Sequence, residues 1–320
     1  MSAKNPSGLR NRLIGVVLII ISIGIAIIFS DMIVLPERII ERKLLSNQQS
    51  IPESILLLRT IILYFLLISL ACGLFFVLNI RNLFIRFFGK TIDINALKKF
   101  FLSDRMCSKK QMPMFLLVSG VIFGTILQLF FLLNGEPIQE GFLEHISEWI
   151  LLLSAILLLI STFKVTSNPL FHDVKIKTIL ILLVISFGLF FLFGEEISWG
   201  QRVFGFDSVG IFNQYNYQHE TNLHNFFNPL FTLLYPMIGM SSFLILFIFG
   251  FFKNNDSDLL DLLLPPPSLY ILAFIMACTS YMGHSEIYEE LVYDFMLLYS
   301  IRILFCLNYP PVKSEKTIPN

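Results

Sequence analysis

Residues 177–196 read KTILILLVISFGLFFLFGEE, uncharged from Thr178 to Gly194 and then ending on two carboxylates, Glu195 and Glu196. A helix rises about 1.5 Å per residue, so about 20 mainly apolar residues cross the ~30 Å hydrocarbon core of a bilayer. This stretch has that length and reads as a membrane-spanning helix. Working outward, comparable runs occupy 13–34, 54–80, 113–134, 146–164, 229–252, 266–283 and 290–309. The expected fold is an all-α, polytopic membrane helix bundle of about eight transmembrane helices. The run at 266–283 begins within Pro265-Pro266-Pro267, which must interrupt any helix arriving from Leu262, because proline lacks the N–H and clashes with the preceding turn.

Composition agrees. Apolar residues make up 55% of the 320-residue chain and charged residues 14%, with a mean hydropathy of +0.74. Soluble domains average about 45–50% apolar and about 25% charged. The formal net charge is zero, and no basic stripe points to nucleic acid. The bilayer itself is the expected partner, and the expected compartment is a cell membrane. Cys72, Cys107, Cys278 and Cys306 form no CxxC and suggest neither a zinc site nor a disulfide framework, so they read as small hydrophobes. The first run follows Lys4, Arg10 and Arg12. It is longer than the apolar core of about 7–15 residues in a cleavable signal peptide, so it reads as an uncleaved first helix.

Orientation follows from the basic residues in the connecting segments. With the N-terminus in the cytoplasm, inner segments hold Arg81, Arg86, Lys90, Lys98, Lys99, Arg105, Lys109, Lys110, Lys164, Lys175, Lys177, Lys253, Lys313 and Lys316 besides the N-terminal three. Outer segments hold only Arg38, Arg42, Lys43 and Arg202. Both termini are therefore expected inside. The inner loop 81–112 mixes apolar and basic residues, as in Phe84-Ile85-Arg86-Phe87-Phe88, a pattern that suits an interfacial amphipathic helix as well as a solvated basic loop. No segment between the runs is large enough for its own core. The chain reads as one transmembrane domain, 1–320, with 1–175 mainly scaffold and 176–320 carrying an outer polar segment at 197–228.

That polar segment is the main functional signal. Gly194-Glu195-Glu196-Ile197-Ser198-Trp199-Gly200-Gln201-Arg202 is followed by Asn213, Gln218, His219, Glu220, Asn222, His224, Asn225 and Asn228. A second polar stretch, His284-Ser285-Glu286-Ile287-Tyr288-Glu289-Glu290 and then Asp294, falls on the same side of the membrane. If the fifth helix continues past Glu196, Glu195, Trp199 and Arg202 share a face. If 219–228 is helical, Glu220, His224 and Asn228 also align. Glu286, Glu290 and Asp294 form a carboxylate stripe. Ionisable groups in a membrane protein point to function by default.

Glu195, Glu196 and His224 are the candidate catalytic residues, as acid–base groups. Trp199, Gln201, Arg202, Asn222 and Asn225 are candidate substrate-positioning residues, and Glu196, Glu220, His224, Glu286 and Glu290 could together hold a divalent metal. None of these spacings is diagnostic, and there is no HExxH, GxSxG or P-loop.

The segments GEEISWGQRVFGF and ETNLHNFF resemble a signature shared by a broad group of bacterial multi-pass membrane proteins of unassigned activity. The likeness covers about 35 residues and implies that Glu195, Glu196, Trp199, Gln201, Arg202, Glu220, Asn222, His224 and Asn225 belong to one site. It also implies that the membrane is a bacterial inner or plasma membrane. A partial resemblance is to the glutamate-dependent intramembrane proteases related to the CAAX-processing enzymes. Glu195-Glu196, Arg202, Tyr215 to His219 and His224 to Asn228 echo that family's elements. Here, however, Arg202 lies two residues too far from the glutamate pair, and both histidine elements fall in one segment. The expected function is a membrane-embedded, metal-dependent or purely acid–base enzyme acting on a lipid-like or lipid-linked substrate at the extracytoplasmic face. An ion-coupled transporter and a non-catalytic envelope assembly protein are the alternatives.

Overall fold

The computed structural model describes residues 12–27, 50–78, 80, 93–137, 141–216, 218–252, 258–281 and 285–310. Among them the regular structure is helical, with no strand. The helices are α1 (Arg12–Ile27), α2 (Ser50–Val77), α3 (Ile94–Phe101), α4 (Gln111–Asn134), α5 (Phe142–Ser167), α6 (Lys175–Glu196), α7 (Gln201–Phe204), α8 (Ile211–Tyr215), α9 (Asn228–Phe252), α10 (Asp258–Leu263), α11 (Tyr270–Tyr281) and α12 (Ser285–Asn308).

Among the described residues, five segments are long and apolar enough to cross a membrane: Glu53–Val77, Gln111–Asn134, Phe142–Ser167, Pro169–Glu196 and Asp258–Tyr281. They contain or overlap the runs expected at 54–80, 113–134, 146–164, 177–196 and 266–283. Among the described residues two shorter apolar stretches, Arg12–Ile27 and Leu233–Phe249, overlap the runs expected at 13–34 and 229–252. The prolines act as expected. α10 stops at Leu263, Pro267–Leu269 form a single 3-10 turn, and α11 starts afresh at Tyr270. Of the loop 81–112, Phe84–Phe88 lies outside the described residues. An eight-residue helix, α3, follows, capped by Asp93, whose Oδ1 accepts from the N–H groups of Asn95 (2.9 Å) and Ala96 (3.1 Å). A carboxylate there satisfies N–H groups that the helix leaves unpaired.

The chain divides into two compact units, one from Met1–Lys99 with Ile126–Leu143 and one from Phe100–Thr125 with Glu144–Asn320. In the first, α1 and α2 meet through small residues. A Cβ on Gly73 would lie 2.9 Å from the Gly15 carbonyl oxygen and 2.7 Å from Ile19, and the Ser22 and Ser69 hydroxyls are 2.6 Å apart. Small residues let helix backbones approach in lipid, where tails supply no hydrophobic drive between helices. Gly73→Leu is therefore expected to force α1 off α2 at a cost of about 1–3 kcal/mol. Faster proteolysis within 28–49 in detergent would report it, and an unchanged cleavage rate would contradict it. Asn134 Nδ2 donates to Thr60 Oγ1 (3.2 Å), and the buried Glu53 accepts from the Leu143 N–H (3.3 Å).

In the second unit, the Ser186 hydroxyl of α6 donates to the Ala155 carbonyl of α5 (2.7 Å). α9 packs along α11, and α12 packs against both. At Gly239 a Cβ would come within 2.7 Å of Ser280 Cβ, so only glycine permits this α9–α11 approach. The resulting assembly of α5, α6, α9, α11 and α12 carries all the polar residues described next.

Candidate functional site

α6 ends at Glu196, and the chain then takes three successive left-handed residues: Ser198 (φ 48°), Trp199 (φ 52°) and Gly200 (φ 88°). Two of these are not glycine, and holding each there costs of order 1–3 kcal/mol. The condition under which Glu195, Trp199 and Arg202 would share a helical face, a fifth helix continuing past Glu196, is thus not met. Trp199 reaches Glu195 instead by folding back. Its Nε1 donates to Glu195 Oε1 (2.6 Å), its ring meets Phe191 edge-on at 5.4 Å, and it covers Gly194. Gly194→Ala would set a methyl 2.9 Å from the indole. The expected cost is about 1–3 kcal/mol, with a shift in Trp199 emission measured in a Trp149→Phe background. No shift would contradict this packing. The Arg202 and Asn228 side chains lie outside the described residues.

The other oxygen of Glu195, 2% exposed, accepts from the backbone N–H groups of Leu223 (2.5 Å) and His224 (3.0 Å). Glu220 Oε2 accepts from the Ser198 hydroxyl (2.8 Å) and from the amides of Asn222 (2.8 Å) and Asn225 (3.2 Å). Asn216 Nδ2 donates to the Asn222 carbonyl (2.8 Å), Asn225 Nδ2 to Gln218 Oε1 (2.8 Å), and the Thr221 N–H to Gln201 Oε1 (2.6 Å). A buried carboxylate is tolerated when donors replace its lost water, and here Glu195 and Glu220 clip the two loops together. The other condition, a helix over 219–228, is not met either. Only His224–Phe226 makes one 3-10 turn, because Glu220 and Asn222 turn inward to these donors. The alignment of Glu220 with His224 is lost with it. His224 Nδ1 lies 3.8 Å from Glu195 Oε2, and its ring stacks on Phe231, which stacks on Tyr235.

A second group sits where the C-terminus of α6 meets α5, α9 and α12. The Tyr293 hydroxyl donates to Glu196 Oε1 (2.6 Å), and the Tyr235 hydroxyl donates to Glu289 Oε1. Glu289 lies within electrostatic range of Glu196, Glu286 and Glu144, and Glu290 has Ser147 and Asp294 beside it. Glu286, Glu290 and Asp294 do rise along one continuous helix, as expected. Tyr235, Tyr293, Ser147 and the inward role of Glu289 were not singled out from sequence. The one available signal was Tyr293 four residues after Glu289, on the same helical face. Tyr235, inside the apolar run of α9, carried none.

The proposed metal-ligand set is therefore split. Glu220 is occupied by amide and hydroxyl donors among the loops, Glu196 by a phenol, and Glu286 and Glu290 belong to α12. Such donors compete with a metal for the same lone pairs. Among the described residues no group of three or more His, Cys, Asp or Glu side chains is arranged to hold a metal ion. Glu195 and Glu196, adjacent in sequence, serve different networks, one holding backbone and the other facing tyrosine. No family model, curated protein or solved structure matches this chain.

Proposed function

We propose that the chain is a multi-pass protein of the bacterial plasma membrane, with eight spans and both termini in the cytoplasm, that performs acid–base chemistry on a lipid-like or lipid-linked substrate at the extracytoplasmic face. The whole chain forms one transmembrane domain, in which 1–175 mainly support and 176–320 carry the site. The observation that carries this reading is the pair of carboxylate–phenol contacts, Glu196 with Tyr293 and Glu289 with Tyr235, gathered from α6, α9 and α12. A carboxyl hydrogen-bonded to a phenol can pass a proton to or from a reacting oxygen, a contribution of about 10²–10⁴-fold in rate. Glu196 and Glu289 are the proton-transfer groups. His224, stacked on Phe231 beside Tyr235, is the next group a substrate meets. Glu195, Trp199, Gln201, Glu220, Asn222 and Asn225 position the loops, and Arg202 remains a candidate for holding an anionic headgroup.

The test is comparative lipid mass spectrometry of membranes carrying the wild-type protein or Glu196→Gln. A lipid-linked species that disappears with the wild type and persists with the variant supports the enzyme. Identical profiles, with both proteins folded and present at equal levels, would sink it.

A carrier reading has one observation in its favour. Glu144, Glu196, Glu286 and Glu289 cluster across three helices, as cation-coupling groups do in transporters. Proton-driven uptake into proteoliposomes, lost in Glu289→Gln without any change of lipid, would select it.

A further inference from the structure

Away from this group, the segment 104–109 is seated on the C-terminal end of α12. The Ser108 N–H and hydroxyl both donate to the Tyr309 carbonyl (3.0 and 3.1 Å), and the Lys109 ammonium lies 5.4 Å from the Tyr309 ring centroid. Asp104 forks onto Arg302 of α12 through two 2.9 Å hydrogen bonds. These contacts bring together two thiols from distant parts of the chain. Cys107 in the segment and Cys306 on α12 are side-chain neighbours, and the Cys107 thiol donates to the Lys109 carbonyl (3.6 Å). Both are free thiols, Cys107 half-buried and Cys306 buried. The Cys306 sulfur also lies 3.7 Å from Asp104 Oδ2. Beyond the small-hydrophobe role expected of all four cysteines, these two make polar contacts.

We propose that Cys107 and Cys306 form a peroxide-sensitive dithiol, Cys107 being the thiol oxidised first and Cys306 the thiol that resolves it into a disulfide. The neighbouring Cys306 side chain lowers the Cys107 thiol to about 7, against the opposing effects of burial and of the Asp104 carboxylate and with help from the Lys109 backbone and the Arg302 charge. This shift favours the Cys107 thiolate, and the thiolate is the nucleophile. It attacks one oxygen of a hydroperoxide and breaks the O–O bond, becoming a sulfenic acid while hydroxide leaves. The Cys306 sulfur then attacks the Cys107 sulfur, and its own proton departs with the sulfenic oxygen as water. Two thiols and one hydrogen peroxide thereby give one disulfide and two waters. On the proposed topology the pair faces the cytoplasm, where thiols are otherwise kept reduced and lasting disulfides are rare. The bond would tie the loop carrying Asp104 covalently to α12 until a thiol reductant reopens it.

The experiment treats full-length protein in detergent micelles with hydrogen peroxide at pH 7, alkylates the remaining thiols and maps the peptides by mass spectrometry. The expected product is a Cys107–Cys306 linked peptide that dithiothreitol separates, with Cys72 and Cys278 still open to alkylation. In Cys306→Ser the Cys107 sulfenic acid is expected to persist and be trapped by dimedone. Before peroxide, Cys107 is expected to alkylate roughly tenfold faster than an ordinary thiol of pKa about 8.5. Over-oxidation of Cys107 to sulfinic acid in the wild type, with no linked peptide, would overturn the proposal. So would a linked peptide that forms equally fast in detergent-unfolded protein.

Discussion

Asp104→Ala is expected to destabilise the protein by about 3–5 kcal/mol, the range for removing one partner of a buried ion pair. Arg302 and Asp104 side chains are each 1% exposed, and the guanidinium binds both carboxylate oxygens at 2.9 Å. The remaining guanidinium bonds go to the backbone carbonyls of Asp261 and Leu262, which carry no charge to balance it. Removing Asp104 strands a cation away from water. The double variant Asp104→Ala/Arg302→Met is expected to be less destabilised than Asp104→Ala alone, because an apolar pair of similar volume has no charge to desolvate. Thermal unfolding in detergent measures both, and a double variant weaker than either single would contradict this account.

The same pair predicts a pH dependence. Burial pushes the Asp104 carboxyl up, but the Arg302 charge and hydrogen bonds, with the Met106 N–H, outweigh it and hold the group below its usual value of 3.8. A depressed folded value adds stability above the unfolded pKa and loses it as pH falls through the folded one. The acid limb below about pH 4 is therefore expected to flatten in Asp104→Asn. An acid limb identical to wild type would contradict the assignment.

Glu196→Gln is expected to abolish turnover of the proposed substrate, by at least about 10²-fold, while leaving the fold intact. The amide oxygen can still accept from Tyr293, so packing is kept, but the side chain can no longer gain or lose a proton at its oxygens. Tyr293→Phe removes the hydroxyl that Glu196 now accepts from at 2.6 Å and is expected to lower the rate by a smaller factor while shifting its pH profile. Glu195→Gln separates the two adjacent glutamates. It weakens the clip onto Leu223 and His224 and is expected to act through loop stability, visible as faster proteolysis within 205–225. If Glu195→Gln and Glu196→Gln give the same phenotype, the division of labour drawn here is wrong.

Much of this architecture was legible from hydropathy because burial in lipid is a requirement met residue by residue along a helix. KTILILLVISFGLFFLFG has to be helical whatever surrounds it, since the bilayer offers its backbone no other partner. The triple proline likewise dictated a break locally. The break after Glu196 was not legible. It depends on Ser198 and Trp199 holding left-handed conformations that their own preferences oppose, paid for by Trp199 covering Gly194 and by Ser198 binding Glu220. The helical alignment of Glu220 with His224 failed for a related reason, as spacing of four has meaning only where a helix exists.

By itself, then, the order of residues determined the helical class, the places where long apolar helices lie, and the concentration of carboxylates and amides near the end of α6 and the start of α12. Tertiary structure alone decided the partnerships: Glu195 to backbone, Glu220 to amides, Glu196 and Glu289 to tyrosines, Asp104 to Arg302, and Cys107 to Cys306. The physical reason is one of range. Partition into a bilayer is scored within a window of about 20 residues, whereas these contacts, those of Glu220 with Asn222 and Asn225 aside, join groups tens to about two hundred positions apart, and only the packing of the chain against itself selects which polar groups meet.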